Sequence, residues 1–202
     1  MSISNVILVV EDELSEVISR QILNQLDIEI RHTIFGKGNV SLRQKAPELN
    51  RSANALDIFL LTDLDSPQDC PSGLIQSWIK GSLNPRLLFR VAVMEVESWV
   101  MADRVGFSDF LSIPLHRIPS PTDDILNPKE FLVSLARKSQ KKRMREALVP
   151  VPGANASVGF EYNILLSEFV QDQWDMHRAA LVSPSLNRTL ERLYQARGIG
   201  SD

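Results

Sequence analysis

Carboxylates gather at the ends of three apolar runs in this sequence. Val6–Val10 stops at Glu11, Asp12 and Glu13; Ile58–Thr62 stops at Asp63 and Asp65; Leu87–Val93 is followed by Glu95 and Glu97, with Asp103 further along. Two aspartates flanking a single residue offer hard oxygens to Mg2+ or Mn2+, which take such ligands and keep several waters. A cation held that way neutralises a phosphodiester and polarises an attacking or leaving oxygen. A separate glutamate then supplies a general base or acid, or joins a second metal. On this reading Asp63, Asp65 and Glu11 are the metal ligands, and Glu11 and Glu97 are the catalytic carboxylates. Asp12, Glu16, Glu95 and Asp103 are secondary candidates. Two other readings compete. Asp63 is a carboxylate nucleophile that takes a phosphoryl group, or the acids are turn residues, where aspartate is common for conformational reasons.

The elements around these acids must bring them together for any of this to matter. Val6–Val10, Ile28–Phe35, Asp57–Thr62 and Leu87–Val93 read as strands. The helical spacing of Leu14, Val17, Ile18, Ile22, Leu23 and Leu26 predicts a helix after the first of them. The segment 40–55 predicts a helix broken near Pro47, since proline lacks the amide donor. Leu74, Ile75, Trp78 and Ile79 mark a third helix, and Glu97 to about Arg104 a short fourth. Alternating strands and helices predict an α/β fold with a mostly parallel sheet flanked by helices. Ligands in such sheets sit beyond the carboxyl ends of the strands, where all the acids above fall.

From Ser112 the chain changes character. Four prolines within 112–130 read as a connecting loop. A helix is expected from about Pro128 to Leu148, a loop over 149–159, and helices over 160–180 and 185–196, with Ser183 as N-cap and Pro184 in the first turn of the last. Leu186, Leu190, Leu193 and Tyr194 give that helix one apolar face. The expected organisation is an α/β core over 1–111 and a helical C-terminal part over 112–202, packed on the same domain.

The residues "VILVVEDE" and "LLTDLDSP" resemble the first strand and phospho-acceptor strand of bacterial response-regulator receivers, with Asp63 as acceptor. That resemblance implies a hydroxyl residue after the fourth strand and a lysine–proline pair after a fifth; the fourth strand here ends in acid, and "NPKEF" (127–131) has the reverse order. An acid after strand one, a D-x-D after a later strand and a further acid resemble the Toprim domain. The blocks "VEDELSE", "LLTDLDS", "VAVMEVESWVMAD", "GFEY" and "SPSLNRTLERL", in this order, resemble the bacterial Toprim-like family called domain of unknown function 4276. The resemblance implies a Toprim-like α/β sheet with a helical C-terminal part. It also implies metal-dependent nuclease or related phosphodiester chemistry with Mg2+ or Mn2+, in a defence or mobile-element setting, sometimes beside an ATPase partner. Members carry glycine after the first glutamate, where this chain has Asp12. The functional first acid is Glu11 or Asp12, and Glu11 is preferred because it ends the strand.

The chain has 202 residues, 44% hydrophobic and 23% charged, with net charge −3, an ordinary globular composition without a global basic field. A DNA or RNA substrate therefore requires a local cationic patch. Arg137, Lys138, Lys141, Lys142, Arg143 and Arg145 form one, within a segment that also reads as a solvated helix face. A single cysteine, Cys70, excludes an intramolecular disulfide and a cysteine-rich zinc site. His32, His116 and His177 show no ligand spacing. No signal-like segment opens the sequence and no apolar run approaches the ~20 residues of a membrane span, so a cytoplasmic protein without membrane partners is expected. The expectation for function is a Mg2+-dependent phosphodiesterase or nuclease. The alternative is a catalytically silent module that binds a protein partner such as an ATPase through the Leu186, Leu190 and Leu193 face.

Overall fold

A computed structural model describes residues 2–36 and 38–198. Four strands form one sheet: β1 (Asn5–Val10), β2 (Glu29–Phe35), β3 (Ile58–Asp63) and β4 (Leu87–Ala92). All pair in parallel in the order β2-β1-β3-β4. β3 is buried along its whole length and β4 at every residue but Arg90, as strands covered on both faces must be.

Alternation divides the apolar residues between two cores. Leu8, Val10, Phe59, Leu61, Leu88 and Ala92 face one side, where α1 (Glu13–Gln25) packs. Val9, Ile58, Leu60, Leu87, Phe89 and Val91 face the other, under α2 (Asn39–Ser52) and α3 (Pro71–Trp78). α2 runs through Pro47 without a break, contrary to the sequence expectation. Pro47 is exposed while Leu42, Ala46 and Leu49 are buried. The carbonyl deprived of its amide faces water, and the anchored apolar face keeps the helix in line.

The remaining helices lie on the α1 side and share its core: α4 (Glu97–Ala102), α5 (Arg104–Leu111), α6 (Pro128–Ala136), α7 (Lys142–Leu148), α8 (Tyr162–Asp172), α9 (Met176–Ala180) and α10 (Pro184–Arg197). Two expected helices are each divided. The helix over 128–148 breaks at Ser139, whose hydroxyl turns away to the Leu111 carbonyl and accepts the Lys141 N–H at 3.0 Å; a serine that binds backbone in this way offers the chain an alternative to helix. The helix over 160–180 breaks at Asp175, which accepts the N–H groups of His177 and Arg178 and caps α9. Ser183 caps α10 with Pro184 in the first turn, as the sequence predicts. The apolar face of α10 does not meet solvent, however: Leu186, Leu190 and Leu193 are buried in the chain's own core. That face is therefore closed to a protein partner. Among the described residues no helix is long and apolar enough to cross a membrane.

Candidate functional site

The strand order reverses direction between β1 and β3, because the chain leaves β1 for one side of the sheet through β2 and returns to the other through β3 and β4. Such a switch point leaves a crevice beyond the carboxyl ends of the two central strands. Glu11 follows β1 and Asp63 ends β3, so the fold places both at this crevice.

Glu11 is half-buried and accepts the Thr62 hydroxyl at 3.3 Å. Burial, with Asp65 and Asp12 nearby, raises its pKa. Asp63 is 8% exposed and accepts the Val96 N–H at 2.9 Å. Burial pushes its carboxyl well above the usual range, and Glu97, Asp12, Glu11 and Asp65 all push the same way. Among the described residues no side-chain cation touches it.

The end of β3 is pinned to the end of β4. Leu64 donates to the Ala92 and Met94 carbonyls and Asp65 to Met94, with Asp65 (φ 56°) and Met94 (φ 63°) both in the left-handed region. Aspartate tolerates that region; methionine is strained there. Asp65 is exposed and accepts from the Asn39 side chain at 3.2 Å.

Glu97 opens α4 and is 2% exposed. It accepts the Tyr162 hydroxyl at 3.1 Å and lies 3.5 Å from Lys129 Nζ. Burial pushes its pKa up to about 7, against the pull of Lys129. Glu95 accepts the Lys129 backbone N–H at 2.7 Å. Burial lowers the Lys129 pKa, but Glu97, Glu95, Asp12 and Asp63 together raise it on balance. Tyr162 and Asn39 are the residues that sequence reasoning leaves without a role, and Lys129, which opens the basic run 129–145, reads there only as part of a phosphate-tracking patch or a solvated face and not as a neighbour of the acids. Tyr162 lies within the "GFEY" block.

The secondary candidates divide. Asp12 faces the cluster and also caps α1 through the Ser15 N–H at 2.8 Å. Glu16 lies outside, paired with Arg20 at 2.8 Å. Asp103 is a structural acid: fully buried, it pairs with Arg178 at 2.7 Å and accepts the Gly106 and Asp175 N–H groups.

Among the described residues no three histidine, cysteine, aspartate or glutamate side chains are grouped to hold one metal ion. The cluster is thus not a closed cage. Mg2+ does not require one, since it is commonly held by one or two carboxylates with waters and substrate phosphates as its other ligands. Glu11, Asp63 and Asp65 do not form the three-carboxylate group that the sequence suggests; Glu11 and Asp63 share the strand ends, each with one of its oxygens held by Thr62 or Val96.

The cationic segment is partly consumed by the fold. Lys141 Nζ donates to the Asp109 and Phe110 carbonyls at the end of α5, Lys142 pairs with Glu146 at 3.4 Å, and Arg145 donates to the Ser139 carbonyl. Arg137, Lys138 and Arg143 are exposed and make no ion pair among the described residues. No family model matches the chain, and neither a curated protein nor a solved structure shows significant similarity to it.

Proposed function

We propose that this protein is a divalent-cation-dependent phosphodiester hydrolase acting on nucleic acid. The observation that carries the reading is Asp63. It is a buried carboxylate at the switch point of a parallel sheet, whose charge Glu97, Asp12, Glu11 and Asp65 all disfavour, and no side-chain cation touches it among the described residues. Such an arrangement is unfavourable unless protons or a cation neutralise it. Asp63 and Glu11 would hold Mg2+ or Mn2+, with waters and substrate phosphate oxygens as its other ligands. Bound there, the cation supplies charge neutralisation on the phosphodiester and a more acidic water.

The chain's own groups do the rest. Glu97, with a pKa near neutrality, takes up or releases a proton at Oε1 or Oε2 in the working pH range. Tyr162 orients Glu97 through its hydroxyl. Lys129 provides a half-exposed positive charge beside the acids, where a phosphate oxygen needs one.

The test is calorimetric titration of Mg2+ and Mn2+ into the wild type and a Glu11→Gln/Asp63→Asn variant, followed by cleavage assays on DNA and RNA with Asp63→Asn. Saturable binding lost in the double variant is expected, together with a fall in cleavage of at least roughly a hundred-fold in Asp63→Asn. No cation binding by the wild type, with or without nucleic acid present, overturns the proposal.

A further inference from the structure

β4 is an outer strand of the sheet, and α10 packs along it. Three contacts fix the alignment. The Ser185 hydroxyl accepts the Val93 N–H at 3.4 Å, Arg90 Nη2 donates to the Arg188 carbonyl at 3.1 Å, and Arg192 Nη2 donates to the Pro85 carbonyl at 2.9 Å. The helix therefore runs antiparallel to the strand. It brings Arg188 and Arg192, four residues apart and so on one face of α10, to the strand that carries Arg90. Arg90 is the one residue of β4 that is not buried. Leu88 and Ala92 on either side of it in the alternation face the α1 side, and Arg90 points the same way, onto α10.

Joining strand to helix does not call for a charge here. Arg90 Nε donates to the Thr189 hydroxyl at 3.3 Å and Nη2 to the Arg188 carbonyl, and a neutral amide would serve both acceptors. Its electrostatic surroundings are cationic instead. Burial, then Arg192 and Arg188, push its pKa down to about 10, while Glu191 pulls the other way. Glu191 is exposed and accepts the Asn187 side-chain amide at 2.8 Å. Among the described residues none of the three arginines makes an ion pair. Arg86, just before β4, shows how this fold treats a structural arginine: its Nε and Nη2 both donate to Asp57, at 2.9 and 3.2 Å. Three guanidiniums against one carboxylate are unfavourable unless an anion joins them.

We infer that Arg90, Arg188 and Arg192 form a receptor for one phosphate group at the β4 edge of the sheet. A guanidinium carries five N–H donors in a planar fork that matches two phosphate oxygens. Arg90 commits Nε and Nη2 to α10 and keeps Nη1; Arg192 commits Nη2 alone; the exposed Arg188 side chain makes no hydrogen bond among the described residues. A phosphate carries enough charge to answer what Glu191 leaves unbalanced. The receptor is separate from the carboxylates and does not rest on the phosphodiester reading. Arg90 pairs in register with Leu61, and Asp63 with Ala92, which places Arg90 one strand outward and roughly 7 Å short of the strand end. Free phosphate and the backbone of a nucleic acid present the same oxygens, and the experiment separates them.

The experiment is calorimetric titration of inorganic phosphate, beside fluorescence polarisation with a labelled oligothymidylate, both in EDTA so that no cation occupies the carboxylates. Saturable binding by the wild type is expected. Arg188→Gln/Arg192→Gln should weaken it by at least roughly ten-fold, with Tm unchanged or raised because like charges have gone. Arg90→Gln keeps donors for Thr189 and the Arg188 carbonyl and should weaken binding as well; should it fail to fold, the double variant decides. Oligothymidylate binding that the double variant weakens makes a nucleic-acid backbone the source of the phosphate. Phosphate binding weakened in that variant, with oligothymidylate either unbound or unaffected, makes the source free phosphate. Both outcomes support the receptor. It is overturned if the wild type binds neither probe saturably, or if the double variant binds both as the wild type does.

Discussion

Asp63 and Asp103 are both buried aspartates, yet their surroundings are opposite. Asp103 is fully enclosed and fully answered. Arg178 donates to both of its oxygens, at 2.8 and 2.7 Å, and two backbone N–H groups complete the set. Asp63 receives one backbone N–H and no side-chain donor; four acids oppose its charge, and Lys129 acts on it without touching it. The first is how a fold buries a charge for its own integrity: it joins α4, α5 and α9 at one point. The second does nothing for the fold that an uncharged side chain would not do better. Burial alone therefore does not distinguish a structural acid from a candidate functional one; the company it keeps does.

That contrast can be broken experimentally, beginning with the largest effect. Asp103→Ala leaves the Arg178 guanidinium and two backbone N–H groups without their acceptor, and should lower stability by about 3 kcal/mol in denaturant melts. A loss under ~1 kcal/mol would mean that solvent replaces the carboxylate, and the structural reading of Asp103 would fall.

The second test is the pH dependence of stability in EDTA. The folded Glu97 carboxyl titrates at about 7 against 4.5 for a free one. Between these values the native state holds a proton that the unfolded chain has released, so stability falls as pH rises through that window. The drop should reach about 3 kcal/mol across the window and flatten in Glu97→Gln. An unchanged slope in that variant would place the titration elsewhere.

The smallest effect has the opposite sign to the first. Asp63→Asn keeps the acceptor for Val96 and removes one charge from the cluster. It should stabilise the metal-free protein by on the order of 1 kcal/mol, read as a rise in Tm. Destabilisation by the same change would make Asp63 a structural acid like Asp103.

The sheet was legible because its strands are short, apolar and rich in β-branched residues, and the carboxyl-end rule carried Glu11, Asp63 and Glu97 to one end of it. What escaped were choices made by single polar groups. Nothing local in 128–148 says that Ser139 will turn to the Leu111 carbonyl. Nothing in 39–52 says that Pro47 will face water. The apolar face of α10 reads the same whether a partner or the chain itself covers it, since periodicity reports that a face is buried and not by what. At the site, Lys129 and Tyr162 lie 32 and 65 positions from Glu97 in the sequence, and only the packing of α6 against α4 and of α8 against α1 brings them to it. Their residue types were visible; their address was not.

The excursion from Val149 to Val158 is closed at its base by the two hydrogen bonds that Gly159 and Glu161 make to the end of α7. A Cβ at position 159 would strike the Ala147 backbone, so the seam closes only around glycine. Below the seam, the chain resumes on a fixed course that delivers Tyr162 to Glu97. Above it, the loop can lengthen, shorten or change composition without moving the tyrosine. The loop can thus be rewritten while the carboxylate cluster is left alone, so that variation in one part of the surface is decoupled from the geometry of the other.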